Sequence, residues 1–167
     1  MRNFLLLVLL VACGSSATKY TTKHELAGTG GGFMHVVKRE GVIYYYRFEE
    51  VPPYLKLNMI LHSTHKKPFR IKANDFSLVV DGQEILPFSK LAWLKDTEVK
   101  LKTLKGTELK QLASDVDLVN RYMLDADIQL EPQNPTKTYV IFPIQRALNF
   151  GVKLGPASPV VKVKQEL

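Results

Sequence analysis

The sequence predicts a mainly β chain: an antiparallel β-sandwich with one inserted amphipathic helix. Three observations carry this. From Phe33 onward apolar and polar residues alternate in about eight or nine short runs, broken by turn signals roughly every 8 to 12 residues, as in sandwiches and barrels. One segment, 106–123, changes to a helical period. The length of 167 residues suits one domain with a respectable core and leaves little room for a second. A hydrophobic fraction of 46% with 23% charged residues is ordinary globular composition and argues against wholesale disorder.

The chain opens with one cation at Arg2, an apolar run from Phe4 to Val11, and Ala12 directly before Cys13, the only cysteine. This is the three-part plan of a secretory signal. The run is too short for a transmembrane helix, which needs roughly 20 apolar residues. Leu10-Val11-Ala12-Cys13 places a thiol where cleavage would leave it at the new N-terminus. The alternative is an uncleaved apolar N-terminus with a buried thiol. The tetrapeptide resembles the lipobox of bacterial lipoproteins. That resemblance implies a thioether-linked diacylglycerol on Cys13, loss of residues 1–12, N-acylation in many Gram-negative organisms, and no cofactor beyond the covalent lipid. Gly14 follows where, in proteins resembling enterobacterial lipoproteins, Asp favours inner-membrane retention, so outer-membrane anchoring is the expectation. With no other cysteine, thiol catalysis and cysteine-based metal sites are excluded from the mature domain.

Residues 13–32 comprise this cysteine and a stretch rich in Gly, Ser and Thr, a composition that buries little apolar surface and reads as a flexible tether. As a coil, residues 14–32 would span on the order of 25 Å, and fully stretched roughly 60 Å. The glycines from Gly28 to Gly32 are not a phosphate loop, because no strand precedes them and no Gly-Lys-Ser/Thr follows. The domain is expected to be 33–167.

Phe33 to Arg39 and Val42 to Phe48 form a first strand pair around Glu40-Gly41, the second strand rich in aromatic and β-branched residues. After Pro52-Pro53, residues 54–62 place Leu55, Leu57, Met59 and Leu61 on one face, a half-buried strand. A polar turn runs from His62 to Pro68. Residues 69–72, 76–80 and 83–88 are further short strands, and Asp81-Gly82 is a hairpin signal, since both central positions of a type I′ turn require positive φ. In 106–123, Leu109, Leu112, Ala113, Val116, Val119 and Met123 recur near helical spacing, with a start near Thr107. Strands at 126–131 and 137–142 flank Pro132 to Pro135, and 149–154 and 159–164 finish the chain.

Residues 54–88 carry a short apolar strand, a Lys-Lys-Pro turn, Asn74-Asp75-Phe76 and a strand closed by Asp-Gly. They are similar to the middle of bacterial immunoglobulin-like, telokin-like envelope domains, and Pro132 to Pro143, a proline-initiated loop leading to a strand ending in Phe, is similar to their later part. The helix at 106–123 departs from that pattern. The resemblance implies an immunoglobulin-like sandwich in an adhesive or interaction module.

The formal charge of +7 includes Arg2; without it 22 basic residues face 16 acidic ones, leaving +6. The cations are scattered. Lys38-Arg39, Lys66-Lys67, Lys95, Lys100, Lys102, Lys105 and Lys110 mostly alternate with apolar residues, as on the solvated face of strands, and no basic block with interleaved aromatics suggests nucleic acid. No Gly-x-Ser-x-Gly or His-Glu-x-x-His motif appears. Glu49-Glu50 precedes a Pro-Pro break, and Asp115 and Asp117 on a helix point to different sides, so neither pair reads as a catalytic couple. The expected role is a noncatalytic module, held to the membrane by lipid, that binds or assembles with another envelope component. Some of Tyr44, Tyr45 and Tyr46, or Trp93, would engage the partner, and alternation requires one of the successive tyrosines to face outward. The alternative is a carrier of a small ligand or of copper, with His62, His65, Met34 and His35 as candidate ligands and Met59 nearby, since thioether and imidazole suit copper. The core methionine and surface histidine reading of the same residues competes with it.

Overall fold

The computed structural model describes residues 19–29, 32–51, 54–102, 119, 121–144 and 149–166. The signal segment with its lipobox, and most of the helix expected over 106–123, lie outside these residues. Where that helix would end, Val119, Arg121 and Tyr122 are helical, and the Met123 N–H bonds to the Val119 carbonyl at 3.3 Å.

The described residues form strands β1 (Lys19–Thr22), β2 (Glu25–Thr29), β3 (Gly32–Arg39), β4 (Val42–Val51), β5 (Tyr54–Ser63), β6 (Phe69–Lys72), β7 (Phe76–Val80), β8 (Gln83–Ile85), β9 (Asp127–Leu130), β10 (Thr136–Phe142), β11 (Asn149–Leu154) and β12 (Val161–Glu166), with the helix α1 (Lys90–Leu101) between β8 and β9. They form two 5-stranded sheets, β1-β12-β11-β7-β8 (sheet A) and β10-β5-β4-β3-β2 (sheet B), and a 2-stranded sheet, β6-β9. Every named strand pair is antiparallel. The chain is a mainly β, antiparallel sandwich, as its periodicities predict; the helix inserted at Lys90–Leu101 is not the one expected over 106–123.

Register explains the sandwich. Across sheet B, Tyr46 pairs with Met59 and His35, Tyr44 with Leu61 and Val37, and Phe48 with Leu57, while Val140 and Phe142 of β10 pair with Leu57 and Leu55. These form one continuous inward face. Sheet A meets it with Leu78, Val152, Val161, Phe150, Val163 and Leu154, all buried. Tyr20, Phe48 and Phe150 form an edge-to-face aromatic triangle with centroid separations of 5.6, 5.7 and 5.0 Å, a geometry that favours ring edges against ring faces. Ile71 of β6 and Leu130 of β9 point into the same core.

The hairpin turns have the backbone their residues favour. Asp81 and Gly82 have φ of 49° and 79°, and Glu40 and Gly41 have 46° and 72°; two successive positive values are the primed turn that matches strand twist.

Two expectations are corrected. Much of the expected tether is strand: β1 adds to the edge of sheet A beside β12, and β2 to the edge of sheet B beside β3. Composition misled because an edge strand needs mainly main-chain partners, and one large side chain, Tyr20, buried to 7% exposure, fastens β1. The lysines at 95 and 100 stand on α1, with Lys102 directly after it, and not on a strand face. The α1 start is set by Ser89, whose Oγ accepts the Ala92 N–H at 3.2 Å, and by Asp125, whose Oδ1 accepts the Lys90 N–H at 2.6 Å. Both satisfy donors that a helix N-terminus otherwise leaves open.

Candidate binding face

Of the four aromatic candidates, three are interior. Tyr44 and Tyr46 project between the sheets with exposures of 1% and 0%, and Trp93 is 2% exposed, inserted with Phe88 and Met123 over Tyr54, Tyr139 and Ile141 on the far side of sheet B. These three are therefore core and not contact surface. The expected alternation holds: Tyr45, between two inward tyrosines, points to the outer face and is partly exposed.

Sheet B thus has an outer face in two halves. Toward the β4–β5 turn it is covered by α1 and the 119–123 segment through Trp93, Val119 and Met123. The other half is uncovered by that cluster. There Val36, Tyr45, Ile60 and Lys137 form one row across four strands, and Lys38, Ile43 and His62 form the next. Val36, Ile43, Tyr45, Ile60 and His62 are partly exposed, while Lys38, Arg47 and Lys137 are exposed. Lys56 reaches over the Tyr139 ring at 4.6 Å and pairs with Glu49 at 3.4 Å. The surface is an aromatic and aliphatic strip edged by cations, in which Tyr45 and Arg47 are of the types that protein-binding faces favour.

At the β10 side this strip runs into a cleft of about 310 Å³ shared by Lys137, Thr138 and the 121–128 segment, including Arg121, Tyr122 and Asp125. Tyr122 is 48% exposed, and its carbonyl accepts the Thr138 hydroxyl at 2.8 Å. The carboxylates are engaged in structure: Asp125 caps α1, and Asp127 pairs with Arg70 at 3.2 Å.

The candidate copper ligands do not converge. Met34 and His35 are adjacent on a strand and project to opposite faces, both buried. His35 is held by Tyr20 and Thr22. His62 sits on the outer face opposite Ile43. His65 stacks on Phe69 at 4.6 Å and bonds the Glu40 carbonyl at 2.6 Å, fastening the β3–β4 turn. Met59 lies in the core. Among the described residues no group of three or more His, Cys, Asp or Glu is placed to hold a metal ion.

One constellation escaped the sequence reading because its key residue, His24, lies in the expected tether. His24 Nδ1 lies 2.7 Å from the Tyr46 hydroxyl, which donates to Thr22 Oγ1 at 3.2 Å. Thr22 Oγ1 is 3.3 Å from His35 Nδ1, and His35 Nε2 is 3.0 Å from the Tyr20 carbonyl. The tautomers that satisfy every partner give a one-way chain: His24 N–H to Tyr46, Tyr46 to Thr22, Thr22 to His35, His35 N–H to the Tyr20 carbonyl. Burial pushes the Tyr46 hydroxyl up to about 12, keeping it a donor. Burial first, then the charges of Arg39 and Lys23 and the His35 ring, lower His24 to about 4, keeping it neutral. Each group is consumed by its neighbour, so the chain works as a latch holding the β1–β2 crossover onto sheet B.

No family model, no curated protein and no solved structure matches this chain.

Proposed function

We propose that the chain is a lipid-anchored lipoprotein of the bacterial envelope, favouring the outer membrane, whose sandwich is a noncatalytic module that binds or assembles with another envelope protein. The outer face of sheet B, centred on Tyr45, is the face that engages the partner. The single observation behind this choice is the half-covered sheet. Where α1 lies, the outward residues are sealed as a second core; beyond it Val36, Ile43, Tyr45 and Ile60 remain partly exposed among cations. An apolar strip of this kind without internal cover suits a partner. The lipobox supports the anchor, and with β1 beginning at Lys19 only a short link separates Cys13 from the fold.

Photocrosslinking in the native cells tests this. With a benzophenone residue at Tyr45, a specific crosslinked band to one envelope protein is expected, while the same group at Lys66, exposed in the turn after β5, yields none. Equal or absent crosslinking at both sites sinks the face assignment.

A second reading, a carrier of a small ligand, has one observation in its favour, the cleft beside Lys137. Copper is not that ligand on the residues expected for it, which are dispersed. A thermal-shift screen that moves wild type but not Lys137→Ala would favour the carrier reading.

A further inference from the structure

We propose that α1 rests on the bilayer surface, its outward face against anionic phospholipid headgroups, and so fixes how the anchored sandwich stands. This rests on the lipid-anchor reading above. Leu91, Lys95, Val99 and Lys102 are spaced by four, four and three residues and share one helix face. It is opposite the buried Trp93 and Thr97. Leu91 and Val99 are 63% and 66% exposed, more than a sheltered core position allows, and Lys95 and Lys102 lie between and beside them. A lone exposed leucine is ordinary; here Leu91 and Val99 stand exposed beside two lysines, a face that offers apolar contact to a bilayer interface and charge to anionic headgroups. Glu98 pairs with Lys102 at 3.3 Å, both side chains largely exposed, a weak solvent-screened contact that lipid phosphate can replace. Over 90–110 the sequence carries six lysines against Asp96, Glu98 and Glu108, a surplus of the sign that anionic headgroups attract.

Position makes the second argument. Where the chain enters the fold, the Tyr20 hydroxyl donates to Glu50 at 2.6 Å, and Gln165 donates to the same carboxylate at 3.3 Å. Glu50 is next to the last residue of β4, Val51, which pairs with Tyr54 at the start of β5. Tyr54 in turn holds α1, through the Trp93 ring at 6.4 Å and through Asp96. The entry of the chain and α1 therefore share the β4–β5 end of the sandwich. From Cys13 to Lys19 the chain can reach at most about 21 Å. With sheets packed about 10 Å apart and a helix adding a comparable layer, α1 lies on the order of 20 Å from the start of β1. Lipid on Cys13 thus brings headgroups within range of that end and of α1. The Tyr45 row lies on the same outer face of sheet B, paired through Ile60 six residues along β5 from Tyr54 and so roughly 20 Å along the strand, and a partner that engages it stands beside α1 at the membrane surface.

The test uses the mature protein purified from membranes. If Cys13 carries lipid it has no free thiol, so Val99→Cys and, at the opposite end, Lys66→Cys each offer a single site for a nitrobenzoxadiazole label. After reconstitution into vesicles of phosphatidylethanolamine and phosphatidylglycerol, the Val99 label is expected to shift to the blue and to be quenched severalfold more by spin-labelled lipid than the Lys66 label. Replacing phosphatidylglycerol by phosphatidylcholine, or combining Lys95→Gln with Lys102→Gln, is expected to reduce the difference. A lipidated chain with equal quenching at both positions overturns the placement of α1 alone. A second label on Cys13, with a mass lacking acyl chains, overturns the anchor and this inference with it.

Discussion

Lowering the pH from 7.5 to 4 is expected to weaken the fold through His24. Its ring pKa falls from 6.5 to about 4 on folding, because burial and the charges of Arg39 and Lys23 oppose protonation. The unfolded chain takes up the proton near 6.5, whereas the folded chain resists it until about 4. The stabilisation from keeping this ring neutral is therefore complete above the unfolded value and is lost as pH falls from 6.5 through 4. The full shift is equivalent to about 3 kcal/mol. His24 is only partly buried, so solvent screening brings the expected loss to about 1.5 kcal/mol. The assay is urea unfolding at pH 7.5, 5 and 4, comparing wild type with His24→Gln. Carboxylates titrate in both proteins and cancel in the difference. Wild type should lose about 1.5 kcal/mol more than the variant over this range, with similar denaturant slopes. Parallel loss in both would refute the assignment of His24 as a neutral member of the latch.

Other outcomes follow from the same packing. Tyr46→Phe removes the hydroxyl between His24 and Thr22 and should cost about 1–3 kcal/mol in urea unfolding. Tyr44→Ala, inside the sandwich, should cost about 3–5 kcal/mol by analogy with other buried aromatics, whereas Tyr45→Ala should leave the melting temperature nearly unchanged. Gly155→Ala should lower the melting temperature, since Gly155 has φ of 95° and a β-carbon there would run into the Tyr44 hydroxyl; Tyr44→Phe in the same chain should recover part of the loss. Thr97→Val should hold or raise the melting temperature, because the Thr97 hydroxyl is buried without a hydrogen-bond partner among the described residues and such a group costs about 1–3 kcal/mol.

Several short strands were legible in the sequence. Residues 69–72, 76–80 and 149–154 are strands with the expected limits, and Asp81-Gly82 makes the expected turn. These are local properties, fixed by short apolar and β-branched runs between turn residues and by glycine's tolerance of positive φ. What escaped depends on distant partners. β1 and β2 carry few large apolar residues and are strands because β12 and β3 offer main-chain hydrogen bonds. α1 was obscured because its buried stripe is little more than Trp93 and Thr97, with Leu94 partly covered, too thin a signal to set a period. The proposed binding face was half legible: alternation required a tyrosine to point outward, but only the register shows it to be Tyr45, and only α1 shows which half of the sheet it leaves uncovered. His24 was hidden because composition assigned its neighbourhood to a tether, and its partners lie up to 22 residues away.

If the sandwich works at a membrane surface through Cys13, intact mass of the protein recovered from native membranes will show it. A chain beginning at Cys13 and heavier by a diacylglyceryl group is expected, with Cys13→Ser released from the membrane fraction. A soluble, unmodified chain that still begins at Met1 would contradict it.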